Sequence, residues 1–367
     1  MIVFGQRTLA HSLLLAGSFA LGLNFILYSV FGLEAIRVPI RIAALGMFVL
    51  SALFDFRSLK FDVLFLPMIG LAVLSLTLNG LDALNMLAVL LFVLAASPYS
   101  LSEVLSDLLK CFVAIAIIYA FAVVAGFVSL TSYVMDGRVR NTLGFVNVNA
   151  AALFFFSLLL LLAKERRRAW MVNCGVALAF VFLFILTNTR SLLLGAGVYY
   201  ASYILFRFMG KGKTPSKLRG AVGLMVLYTL IVIAFSLPLL AGTEFDQALS
   251  WRPTLFHESL AEFTPFDWLF GSSSFEEVDN SFIVIMGHYG VLFLACAIAI
   301  LHKSILRCSE CGHAWSYSFL LSVLACGSIE SFIYRPELIV TLAFWFVAFN
   351  STSSAKQVTE SGDLRYG

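Results

Sequence analysis

The stretch VNAAALFFFSLLLLLAKERRRAWMVNCGVALAFVFLFILTNTRSLLLGAGVYYASYILF, residues 148–206, decides the fold. Residues 148–163, 170–187 and 191–206 are apolar runs, parted first by Lys164, Arg166, Arg167 and Arg168, then by Thr187-Asn188-Thr189-Arg190-Ser191. A helix needs about 20 largely apolar residues to cross the hydrocarbon of a bilayer. Runs close to that length, separated by a basic cluster or a short polar turn, read as helices that cross, turn tightly and cross back.

Working outward, similar runs occur at 9–31, 38–54, 62–79, 81–98, 108–130, 221–241, 281–301, 315–330 and 337–350. The expectation is an all-α, polytopic integral membrane protein with about twelve transmembrane helices. Composition agrees: 61% of residues are hydrophobic and 12% charged, with a mean hydropathy of +0.96. A soluble domain carries about a quarter charged residues to wet its surface. The net charge of +3 gives no reason to expect a nucleic-acid partner. The run from about His11 to Phe31 is longer than a signal-peptide core and reads as a retained first span. Four of the six cysteines lie in apolar runs, so no disulfide framework is expected.

Loops rich in Lys and Arg stay in the cytoplasm. Placing Lys164–Arg168 and the second basic loop (Arg207, Lys211, Lys213, Lys217, Arg219) there puts both termini inside, with 17 Lys/Arg inside and 7 outside. Those seven (residues 37, 41, 138, 140, 190, 252, 335) are all Arg. Two outer loops stand out, 131–147 and 242–280; the second is far longer than an ordinary helix connection and reads as functional or separately folded. Within it, Leu255 to Phe270 is expected to form a short interfacial helix. Residues 1–350 read as one transmembrane domain, with 351–367 a disordered cytoplasmic tail.

Arg carries a planar fork that grips phosphate or carboxylate through two parallel hydrogen bonds. Arg190 lies between two spans with almost no loop; it either anchors a helix end at the interface or clamps an anion facing a cavity. Arg252 is followed by His257 and Glu258, and the aromatic residues around it either pack the loop or stack on sugar rings. Asp279 and Asn280 lead into a span, so they serve as general base or as helix cap. Arg138, Arg140, Asn147 and Asn149 cluster before another span, as substrate contacts or as loop solvation. Glu330 and Arg335 flank the last outer turn, as binding groups or as a simple ion pair. Cys308-Ser309-Glu310-Cys311-Gly312-His313 holds only half of a zinc site, even with His302 added, and no metal is expected.

Three pieces, in order, resemble the bacterial O-antigen polymerase (Wzy) and O-antigen ligase (WaaL) superfamily. Gly144-Phe145-Val146-Asn147-Val148-Asn149 is similar to a G-F-x-N-P-N segment, with Val148 for proline. Thr187-Asn188-Thr189-Arg190-Ser191 resembles a T-x-S-R-G turn, with Thr189 and Ser191 for Ser and Gly. The long loop with Trp251-Arg252, Gly271-Ser272-Ser273, Asp279-Asn280-Ser281-Phe282 and Gly287-His288-Tyr289-Gly290 is the third. The resemblance covers roughly residues 131–291. It implies a GT-C-like glycosyltransferase of the bacterial inner membrane with a long periplasmic loop, needing neither nucleotide sugar nor metal nor other cofactor. The implied donor is a glycan on undecaprenyl diphosphate, with a flippase and a chain-length regulator as companions. Arg190 and Arg252 would hold the diphosphate, and Glu258, Asp279 or His257 would act as base. Arg138, Arg140, Asn147, Asn149, Asn280, Glu330 and Arg335 would bind substrate. Asp279 stands where ligases of the superfamily usually carry His, which favours a repeat-unit polymerase over transfer to lipid A-core. A flippase is the non-catalytic alternative, but charges avoid the span centres and no internal repeat is visible.

Overall fold

A computed structural model describes residues 2–59, 62–135, 138–164, 169–210, 213–249 and 251–353. The basic residues Lys60, Arg166, Arg167, Arg168 and Lys211 and the tail from 354 onward lie outside the described residues. The chain runs α1 (Ile2–Ser29), α2 (Arg37–Phe54), α3 (Phe65–Asn79), α4 (Leu84–Ala96), α5 (Leu101–Val124), then a hairpin of β1 (Ser132–Met135) and β2 (Arg138–Asn141). It continues through α6 (Val148–Leu162), α7 (Ala169–Thr187), α8 (Arg190–Phe208), α9 (Lys213–Ser236) and the short α10 (Glu244–Ala248), α11 (Arg252–Ala261) and α12 (Pro265–Phe270). It closes with α13 (Ser281–Glu310), α14 (Ala314–Gly327) and α15 (Ile339–Ser353).

Among the described residues, six helical stretches are long and apolar enough to cross a membrane: Gly5–Ser29, Glu34–Phe54, Leu101–Val124, Arg190–Phe208, Pro215–Leu240 and Ser281–Glu310. Six shorter apolar helices accompany them, α3, α4, α6, α7, α14 and α15. The protein is therefore a helical one of membrane type, with the antiparallel hairpin (Ser132 opposite Asn141, Met135 opposite Arg138) as its β-structure among the described residues.

Helix starts follow local chemistry. α5 begins at Leu101, ahead of the apolar run that starts near 108, because Ser100 and Glu103 close a capping box in which each side chain bonds the other's backbone N–H. Asn147 caps α6 by accepting from the Asn149 N–H. Asn280 caps α13 by accepting from Phe282 and Ile283. The tight turn from α7 to α8 passes through Asn188 in a left-handed conformation (φ 50°), which Asn tolerates better than most residues.

Burial sorts the helices into a centre and a belt. From Ile339 to Phe349 and from Ser316 to Gly327 every residue is buried. These stretches of α15 and α14 are apolar all round because other helices surround them. α5, α7 and α9 instead turn Ile117, Phe121, Leu178, Phe182, Met225 and Val232 outward, an exposed belt that is apolar where a soluble protein would be charged. Between α14 and α15 the chain is irregular yet buried, and backbone groups buried without partners are costly. The Ser281 hydroxyl donates to the Glu330 carbonyl and accepts from the Phe332 and Ile333 N–H groups. Asn280 donates to the Ser328 carbonyl, Thr341 to that of Phe332, and Trp345 to that of Ile333.

The 242–280 connection holds three short helices. The helix expected over Leu255–Phe270 is two: Thr264 and Asp267 form a second capping box that restarts the chain at Pro265. α12 then docks on a break in α13. Gly290 has φ 79° inside that helix and Gly271 has φ 85° at the end of α12. A Cβ on Gly290 would meet the Leu269 carbonyl oxygen at 2.0 Å, and one on Gly271 the His288 carbonyl at 2.3 Å. The carbonyls freed by the break are taken up: Ser272 N–H donates to Gly287, and Ser75 and Asn79 of α3 donate to His288. The GHYG sequence is thus the point where loop, α3 and α13 lock together.

Candidate functional site

A cavity of about 380 Å³ opens where α1 ends, α2 and α6 begin, and the α14–α15 loop folds inward. That volume is in the range of small-ligand sites. Its wall includes Asn24 and Tyr28 of α1, Arg37 of α2, Asn147 and Asn149 at the start of α6, Asp279 before α13, and Glu330, Arg335 and Glu337 of the loop. Residues far apart in the chain converge because helix ends from both halves meet here.

The charges are arranged in pairs. Buried Glu337 accepts from the Arg37 Nε at 3.4 Å and from buried Arg41. Arg335 donates to Glu277 at 2.6 Å and to the Ser331 hydroxyl at 3.3 Å, with its Nε on the Tyr334 oxygen at 3.1 Å. Burial pushes the Glu277 carboxyl up, but Arg335, a hydrogen bond from Tyr334, His288 and Arg37 outweigh it and hold it below the usual value. Glu337 behaves alike: burial raises it, and Arg41 and Arg37 bring it below its ordinary value. Arg252 reaches Asp279 at 3.4 Å. His288, on the broken turn of α13, places Nε2 at 4.0 Å from Glu277.

Glu330 differs. It is 4% exposed; Asn149 donates to its Oε2 at 3.3 Å and the Ser191 hydroxyl bonds it from the first turn of α8. Burial and the nearby Asp279 push its carboxyl up, Arg252, Ser191 and Arg335 pull it back, and it settles at about 7.

Of the Arg, Lys, Asp and Glu residues on the wall, two are guanidiniums (Arg37, Arg335) and four are carboxyls (Glu34, Asp279, Glu330, Glu337). Each guanidinium is already matched by a carboxylate. Such a lining repels a diphosphate and suits a neutral, hydroxyl-rich ligand, whose donors can meet the carboxylates and Asn oxygens.

The residues singled out in the sequence separate accordingly. Asn147, Asn149, Asp279, Glu330 and Arg335 line the cavity. Arg252 joins them through Asp279. Arg190 is exposed at the first position of α8 and does not line the cavity, although its neighbour Ser191 touches Glu330. His257 and Glu258 are exposed on α11, whose buried face is Pro253 and Phe256. Asn280 is wholly buried in its capping role and its bond to Ser328. Arg140 donates to the Asn188 carbonyl at 3.2 Å, tying the hairpin to the α7–α8 turn. Arg138 opens β2, and its side chain lies outside the described residues. Glu277 belongs to the acidic run Glu276-Glu277-Val278-Asp279, while Asn24, Arg37, Arg41 and Glu337 carry no motif; the signal in the sequence is the i, i+4 spacing of Arg37 and Arg41 beside an isolated Arg335-Pro336-Glu337. Cys308 is buried against Ser351, and Cys311 is exposed.

No family model, no curated protein and no solved structure matches the chain.

Proposed function

We propose that the chain is a polysaccharide repeat-unit polymerase of the bacterial inner membrane, GT-C-like, crossing about twelve times with both termini cytoplasmic. It transfers a glycan from an isoprenoid diphosphate, undecaprenyl diphosphate by the resemblance, to a hydroxyl of a second lipid-linked repeat unit. Supporting the topology, α6 runs from the cavity to the basic cluster after Lys164, and α8 runs from the Glu330 contact to the basic segment after Phe208. The cavity thus lies at the opposite helix ends from the loops that basic charge keeps cytoplasmic, on the side of the 242–280 loop.

The observation that carries the reading is the division of charge. The cavity offers paired charges and neutral acceptors fit for a sugar, while two arginines stand outside its wall: Arg252, which bonds the wall residue Asp279, and the exposed Arg190, which precedes Ser191, the residue bonded to Glu330. A lipid-linked glycan has that same division, sugar at one end of the scissile bond and diphosphate at the other. In this reading the two guanidiniums outside the wall offset the charge that builds on the departing diphosphate.

The test is reconstitution in proteoliposomes with a lipid-diphosphate-linked oligosaccharide, reading product length by mass spectrometry. Wild type lengthens the lipid-linked chain, and Arg190→Lys or Arg252→Lys lowers the rate about 100-fold, the scale of losing one aligned anion-stabilising donor. Transfer only to lipid A-core makes it a ligase. Movement of unaltered glycan across the bilayer makes it a flippase, and neither lengthening nor movement discards the reading.

A further inference from the structure

Glycosyl transfer to a hydroxyl needs a group to receive the hydroxyl's proton, and the sequence offers His257, Glu258 and Asp279. The first two are on the outward face of α11. Asp279 is engaged by Arg252. Glu277 and the wall residue Glu337 are likewise locked to Arg335 and to the Arg37–Arg41 pair. At Glu277 and Glu337 the arginines favour the ionised carboxylate and hold it below its ordinary value. Glu330 is instead held by neutral donors, the Asn149 amide and the Ser191 hydroxyl. These fix its position without fixing its charge.

We infer that Glu330 is the proton acceptor of the transfer, facing an acceptor hydroxyl seated in the cavity beside Asn149. The inference rests on the glycosyl-transfer reading of the site. In the step, the hydroxyl oxygen forms a bond to the anomeric carbon and its proton passes to a Glu330 carboxylate oxygen. The bond from that carbon to the diphosphate oxygen breaks, and its electron pair leaves on the lipid diphosphate. The groups that set the charge of Glu330 come from every side: Asp279 before α13, Arg252 of α11, Arg335 of its own loop, Ser191 of α8, Asn149 of α6, and Cys326 of α14. A carboxyl poised near 7 is matched to proton transfer near neutral pH. Ser191, which bonds Glu330, directly follows Arg190 in the chain, and Arg252 bonds Asp279 beside the same carboxyl.

The experiment uses the full-length protein in proteoliposomes with the lipid-linked oligosaccharide, comparing wild type, Glu330→Gln and Glu330→Ala. Expected is a fall in kcat of about 10²–10⁴-fold for Glu330→Gln, with KM for the donor little changed and the rising limb of the wild-type pH profile near 7 abolished. Added formate should restore part of the rate to Glu330→Ala, which loss of packing alone does not allow. If Glu330→Gln turns over within about tenfold of wild type, or formate restores nothing to a monodisperse Glu330→Ala, Glu330 is not the acceptor while the transfer reading stands. If wild type itself lengthens no glycan, the transfer reading fails and this assignment falls with it.

Discussion

Glu330 and Glu337 share one buried loop, yet their surroundings drive them in opposite directions. Arg41 and Arg37 overcome burial at Glu337 and hold it down; at Glu330 burial and Asp279 prevail, and the carboxyl rises from 4.5 to about 7. A raised carboxyl means the folded state binds more protons than the unfolded chain between those values. Stability from this group therefore falls as pH rises through that window. The displacement is worth about 3 kcal/mol at most. Glu330→Gln should match wild type in thermal melts near pH 4 and exceed it above pH 8, and an unchanged gap between the two pH values would refute the buried, unpaired carboxylate. The residue scale also shows what sequence could and could not read. The sequence left Asp279 and Asn280 interchangeable as cap and as functional group. The fold gives the cap to Asn280, whose oxygen takes two α13 amides, and turns Asp279 toward the cavity. A cap is a matter of backbone direction, and neighbouring residues in a chain do not reveal it.

At the scale of elements, the apolar runs gave the helices and local capping gave several starts, such as Ser100-x-x-Glu103. The runs did not show that the long connection breaks into α10, α11 and α12, or that α12 inserts against Gly290. Its short side-chain pattern fits one helix or two, and a docked backbone leaves little trace beyond glycine. The docking predicts a sharp effect. Gly290→Ala adds a Cβ at 2.0 Å from the Leu269 carbonyl and requires φ 79° of a residue with a side chain. The cost should exceed about 2 kcal/mol, and it should be local. Limited proteolysis should cut the 242–270 segment faster in Gly290→Ala than in wild type, with α14 and α15 still protected; equal cleavage would mean that α12 does not depend on the break.

For the whole molecule, the belt of outward apolar side chains on α5, α7 and α9 sets the solvent. Leu178, midway along α7, is 71% exposed. If that surface faces hydrocarbon, Leu178→Arg costs about 2.5–3.5 kcal/mol of insertion, where the same change on a water-facing helix is nearly neutral. Membrane-integrated yield and melting temperature should both drop; a variant that behaves like wild type would place α7 against water or protein. The membrane character and the helical class were legible in the sequence, because hydrophobicity is summed over long runs and needs no knowledge of neighbours. The motif positions Asn147, Asn149 and Asp279 were also legible, since they stand at the ends of apolar runs where helix ends must be. Only the tertiary structure decided that Glu330 and Arg335 face a cavity while Arg190 is exposed and off its wall, and that Arg37 and Glu337 complete the wall with Arg41 buried behind Glu337. Those pairings join α2 to a loop some 300 residues later, and partners that distant are fixed by packing, which no local pattern encodes.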